Sequence, residues 1–282
     1  MYLGLASLLG FGSLMWFLAS LSGDVSSTAL DEVAGSVSLA LSEEPPQLDS
    51  SRATDTVSGE ILGHVMEGLL RYDEFNRIVP GVAERWEIGA TTATFWLRND
   101  ALWSDGTQVT AHDFVFAWKT ALDPQTASEY AFILYPIKNA EAINNGQLDT
   151  TTLGATALND NTLLVHLERP VAYFDSLLVF PTYFPIKQSF YADRQGRYGA
   201  DASDLLYNGP FLIEKWIHGS QLRMVRNPHY WAQNRIRLNV IDYAYITSDV
   251  NATLNLFKDG KIAIAGLNSE NLDDALQRRW KL

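Results

Sequence analysis

A mixed α/β fold (α+β in its ordering) is predicted by three observations on this sequence. Strand-like and helix-like periodicities alternate along the chain, two strand pairs are joined by short turn-prone loops, and Leu102–Trp118 passes from a strand end through a tight turn into a capped helix. The elements follow in order. Residues 1–23, MYLGLASLLGFGSLMWFLASLSG, carry no Asp, Glu, Lys, Arg or His, as expected of a signal peptide or membrane anchor. Ser20 and Ser22 supply the small residues of a cleavage site, and residues 24–35 read as a polar tether. Val37, Leu39 and Leu41 alternate with Ser and Ala as a short strand, which Glu43-Glu44-Pro45-Pro46 breaks. Ile61, Leu62, Val65, Met66 and Leu69 recur at helical spacing, with Asp55 or Thr56 as the cap and Asp73–Asn76 as the turn beyond.

Strands are expected at Trp86–Ile88 and Ala93–Arg98, the second ending at Asp105-Gly106, where glycine accepts positive φ. Thr110 then caps a helix over Ala111–Leu122: its hydroxyl can accept from the Asp113 N–H while the Asp113 carboxylate reaches back, and Val109 can staple onto Phe114. Phe114, Val115, Trp118 and Leu122 share one face, and Asp123-Pro124 ends the helix. Asn159-Asp160-Asn161 turns a hairpin between 154–158 and 163–168, and His218-Gly219-Ser220 turns another between 211–216 and 222–226. A β-α-β run closes the chain: strand Ile241–Ile246, helix Val250–Lys258 ending at Gly260, strand Ile262–Ala265, then a helix over Ser269–Trp280.

With 47% hydrophobic and 19% charged residues the chain has the composition of a globular protein rather than a disordered one. A formal net charge of −12 argues against nucleic-acid binding, because phosphate backbones are repelled. The absence of cysteine excludes disulfides, thiol nucleophiles and thiolate metal sites. There is no Gly-x-Ser-x-Gly elbow, no His-Glu-x-x-His and no phosphate-binding P-loop, and His64, His112, His166, His218 and His229 are scattered singly. Neither an enzyme nor a metal or cofactor is expected.

Leu102–Trp118, LWSDGTQVTAHDFVFAW, closely resembles the Trp-Ser-Asp-Gly-x-x-Val-Thr-Ala-x-Asp-Phe-Val signature of the family 5 extracellular solute-binding proteins, the oligopeptide-binding group of ABC importers. Further segments occur in the family's order: Glu67-Gly68-Leu69-Leu70, Pro80-Gly81 through Trp86, Asp123-Pro124 through Ala131, Asn208-Gly209-Pro210-Phe211, and Arg226-Asn227-Pro228-x-Tyr230-Trp231. The resemblance implies a periplasmic-binding-protein-like clamp whose lobes close on an extended peptide. It divides the chain into lobe I, residues 36–66 and 185–282, and an inserted β-rich subdomain, residues 67–184. The second lobe is expected to be missing, since the resemblance stops at Leu282. Ala53-Thr54-Asp55-Thr56 matches the segment whose main chain meets the peptide, and Tyr130 matches a tyrosine that approaches it. The implied partners are an oligopeptide ligand and ABC transporter permease subunits; the apolar segment 1–23 predicts export to the periplasm or cell envelope, as a cleaved leader or a membrane anchor, and a monomer is expected. A membrane-tethered envelope interaction domain that kept the lobe without transport is the alternative.

Overall fold

The computed structural model describes residues 29–277; the apolar segment 1–23, residues 24–28 of the tether and the end of the last predicted helix lie outside them. Strand β1 (Leu30–Asp31) folds antiparallel onto β2 (Ser36–Leu41). Helix α1 (Thr56–Val65) starts at Asp55, whose carboxylate accepts the Ser58 N–H at 2.7 Å, and it buries Val57, Ile61, Leu62 and Val65. It stops short of Leu69, where the periodicity had suggested it would run. Asn208 pairs with both backbone groups of Glu67, accepting its N–H (3.0 Å) and donating to its C=O (2.8 Å), so the chain there is held as a strand-like segment.

A hairpin follows, β3 (Leu70–Tyr72) with β4 (Ile78–Pro80), around the expected Asp73–Asn76 turn. The turn is organised by Asp73, which accepts the N–H groups of Phe75 and Arg77 (2.9 Å each) and the Arg77 Nε–H (2.7 Å). The Arg77 hydrogen bonds hold the Asp73 carboxyl down at about 2, below its ordinary 3.8. A depressed carboxyl contributes stability above its unfolded pKa and loses it as pH falls through the folded one, so this turn should loosen between pH 3.8 and about 2. Carboxyl-carbon NMR should place the Asp73 midpoint near 2; a midpoint at 3.8 would show that the Arg77 contact does not persist in solution.

Strands β5 (Ala83–Ile88) and β6 (Thr92–Leu97) lead into helix α2 (Ala111–Leu122); a short α3 (Ala140–Asn144) precedes the hairpin β7 (Ala155–Asn159) and β8 (Thr162–His166). These strands form an antiparallel sheet in the order β5-β6-β8-β7, and α2 packs against β7. Trp103, Val109, Phe114 and Trp118 are fully buried, so the signature stretch is scaffold. Asp113 closes the capping box from its own side: Oδ2 accepts the Thr110 backbone N–H (2.9 Å) and also the Trp103 indole N–H (3.2 Å). Asp113→Ala leaves the buried Trp103 indole and the partly buried Thr110 N–H without their acceptor and should cost about 1–3 kcal/mol in urea unfolding; an unchanged midpoint would contradict this role.

Short helices α4 (Phe174–Leu177) and α5 (Gln188–Asp193) precede β9 (Phe211–Ile217), β10 (Gln221–Arg226), β11 (Val240–Ile246), α6 (Val250–Lys258) and α7 (Leu272–Gln277). The second sheet runs β1-β2-β11-β10-β9, and its β2–β11 pair is parallel. The expected strand at Ile262–Ala265 is not formed. Ala263 donates one hydrogen bond to the Ser38 carbonyl (2.9 Å), but the Ser38 N–H is already taken by Ala29, so β1 shares the edge that a further strand would need. Ile262 is buried and Ile264 is exposed, so the two do not share one face as residues i and i+2 of a strand would.

Candidate functional site

The segment Ala53–Thr56 follows a tight turn that the sequence builds around Asp49. The Asp49 carboxylate accepts the Ser51 N–H (2.9 Å) and hydroxyl (2.6 Å), while its carbonyl accepts the N–H groups of Arg52 and Ala53. Burial pushes the Asp49 carboxyl above its ordinary range, against the Ser51 hydrogen bonds and the nearby Arg52 charge. Upstream, the Leu48 N–H donates to the Gly199 carbonyl at 2.8 Å, pinning the turn to the loop after α5.

From this anchor the chain runs to Asp55, whose φ of −86° and ψ of 158° are extended, and then enters α1. Ala53 is buried, Thr54 and Asp55 are half-buried and Thr56 is exposed. Ala53 N–H and Asp55 C=O are committed within the fold, the latter to Gly59. Among the described residues, the Thr54 N–H and C=O have no hydrogen-bond partner. The Asp55 carboxylate is engaged as the helix cap, which leaves its side chain a structural part and its backbone the part that can face a ligand.

Tyr130 sits half-buried at the start of a 3-10 turn, Ala131–Leu134, with its ring 5.8 Å from that of Phe132 and 5.9 Å from that of Phe180. No interaction joins it directly to Ala53–Thr56 among the described residues. A second 3-10 turn, Pro181–Tyr183, connects the two regions by packing on both α1 and the Ala131–Leu134 turn. It is fixed from below: the Trp118 indole donates to the Tyr183 carbonyl (3.0 Å), and the Tyr183 hydroxyl donates to the Ile133 carbonyl (2.9 Å).

One convergence was not legible as spacing. Glu67 is a buried carboxylate that accepts the Tyr230 hydroxyl and the Trp231 indole N–H, each at 2.6 Å, with Arg71 Nε at 3.5 Å. The Arg98 guanidinium stacks 3.2 Å from the Trp231 ring centroid and donates to the Gly81 carbonyl (3.2 Å). Asn227 donates to the Gly209 carbonyl (2.9 Å), and the Gly209 N–H donates to Val65 (3.0 Å). Four of the recurring segments thus meet at the point where α1 passes into β3. A Cβ on Gly209 would lie 2.6 Å from the Val65–Met66 backbone, so the approach requires glycine.

Residues 77–279 match the family model described as bacterial extracellular solute-binding proteins, family 5, middle region. The oligopeptide-binding protein OppA of Bacillus subtilis is 37% identical over 79% of this chain and 41% of its own length. The periplasmic oligopeptide-binding protein OppA of Salmonella typhimurium is 36% identical over 78% of this chain and 40% of its own. Among solved structures, the substrate-binding domain of an oligopeptide ABC transporter from Bacillus anthracis superposes with a TM-score of 0.84 at 40% identity, covering 87% of this chain and 48% of that one. Listeria monocytogenes OppA bound to peptide gives a TM-score of 0.81 at 33% identity and similar coverage. The chain therefore spans about half the length of the relatives it matches, or somewhat less.

Proposed function

The chain belongs to the bacterial extracellular solute-binding proteins of family 5, and we propose that it carries one face of the peptide-binding clamp of an oligopeptide ABC importer. The observation that supports this best is the Thr54 backbone. Among the described residues its N–H and C=O have no partner, and this half-buried residue is held in place by the Asp49 turn and the α1 cap, an arrangement suited to main-chain hydrogen bonds with an extended peptide. Such pairing reads backbone rather than side chains, which fits a binder of many peptides. Tyr130 flanks this face across the Pro181–Tyr183 turn. In this reading residues 36–66 and 185–282 are lobe I, residues 67–184 are an inserted subdomain, and the monomeric protein delivers peptide to permease subunits at the outer face of the membrane. It binds and releases; it does not catalyse.

Amide NMR on the chain with millimolar tetra-alanine tests the assignment. Saturable shifts are expected at the Thr54 and Asp55 amides. Shifts confined to other surfaces, with Thr54 unmoved, would overturn it.

A further inference from the structure

Beside Tyr130 lies an aromatic cluster that the fold covers only in part. Phe132 is 56% exposed and Phe180 is 40% exposed, although both contact Tyr130, and large apolar side chains left open in mutual contact mark a binding surface more often than a lone exposed one does. The cluster is held firmly. Phe132 is on the Ala131–Leu134 turn, Phe180 precedes the Pro181–Tyr183 turn, and the Tyr183 hydroxyl bond to Ile133 ties the two turns together. The rings meet at 75° and 51°, edge-on and tilted, so a further ring can join them in the same geometries.

Resting on the peptide-binding reading above, we propose that Tyr130, Phe132 and Phe180 form an apolar subsite that selects peptides carrying an aromatic side chain. The link to the main-chain segment is the Pro181–Tyr183 turn, which packs against α1, the helix that begins at Thr56. The electrostatic surroundings restrict the occupant further. Exposed Glu129 adjoins Tyr130, Asp175 lies on α4 just before Phe180, and the whole chain carries −12, so an acidic side chain is disfavoured at this position. Main-chain pairing at Thr54 would thus supply general affinity and the cluster a preference among peptides.

The test compares tetra-alanine with tetrapeptides carrying one phenylalanine, or one aspartate, at each position in turn, followed by NMR on the intact chain. At least one phenylalanine peptide should bind about five- to tenfold more tightly than tetra-alanine and shift the ring signals of Phe132 and Phe180. Aspartate in that position should bind more weakly than alanine. Phe132→Ala and Phe180→Ala, both at exposed positions that leave the core intact, should return the phenylalanine peptide to the tetra-alanine affinity while shifts at Thr54 persist. Equal affinity for every peptide, or no ring shifts, overturns the subsite whatever Thr54 does. Ring shifts from a phenylalanine peptide with Thr54 silent would retain the subsite and overturn the main-chain reading instead.

Discussion

Glu67→Ala is expected to destabilise the protein by about 3–5 kcal/mol, the range for breaking a buried charged network by removing one member. The carboxylate serves the Tyr230 hydroxyl and the Trp231 indole at once, and it faces Arg71. Alanine leaves the buried Tyr230 hydroxyl and the partly buried Trp231 indole without their acceptor, beside the partly exposed Arg71 guanidinium. Glu67→Gln keeps the shape but offers one acceptor to two donors, so about 1–3 kcal/mol is expected. Burial is the largest influence on the Glu67 carboxyl and pushes it above 4.5, against the Tyr230 and Trp231 hydrogen bonds and the nearby arginines. A raised folded-state value makes its linked contribution fully present below 4.5 and lost as pH rises through the folded value. The stability difference between wild type and Glu67→Gln should therefore be largest in mild acid. Urea unfolding of both proteins across the acid range measures this, and a difference that grows toward neutral pH would contradict the assignment.

Gly199→Ala is the second large effect, and it reaches the candidate site. Gly199 has φ +74°, and an added Cβ would lie 2.5 Å from the Leu48 carbonyl carbon and 2.8 Å from its oxygen. Left-handed backbone strain of roughly 1–2 kcal/mol adds to overpacking of about 1–3 kcal/mol, for a loss of about 2–5 kcal/mol. Because the displaced backbone is that of Leu48-Asp49, the turn that presents Ala53–Thr56 should shift with it. Gly196→Ala is the control: its φ is +86°, but nothing lies within 4 Å of the added carbon. It should cost only the strain, roughly 1–2 kcal/mol, and leave the amide spectrum of residues 48–56 unchanged. Equal losses for the two variants would show that Gly199 is required for its conformation and not for its contact with Leu48.

The elements legible in the sequence are those whose signals are local. Helix α2 runs over the predicted Ala111–Leu122 because its cap, its apolar face and its Asp123-Pro124 stop all lie within a few residues of one another. The hairpins β7–β8 and β9–β10 were likewise announced by their turns. What escaped was set at a distance. Helix α1 ends early because Asn208, far along the chain, takes the backbone groups of Glu67. Ile262–Ala265 has strand alternation but no free edge, since Ala29 occupies the Ser38 N–H. The short β3–β4 hairpin lacks alternation, and only its Asp73 turn was readable. For the candidate site, the segment around Thr54 and Tyr130 came from resemblance. The reason the segment is presentable, the Asp49 turn pinned by Gly199, is a contact between residues some 150 positions apart, with no spacing to announce it.

In the function proposed above, this chain holds one face of a two-sided peptide site. A single face leaves the far side of the peptide solvated, and main-chain hydrogen bonds made against water contribute only about 0.5–1.5 kcal/mol each. A few of them barely offset an association cost of roughly 4–15 kcal/mol. Calorimetry of the 282-residue chain with tri- to pentapeptides is the direct measurement. Dissociation constants on the order of millimolar or weaker are expected; binding on the order of micromolar would contradict the claim, because it would require a complete, enclosed site within this chain.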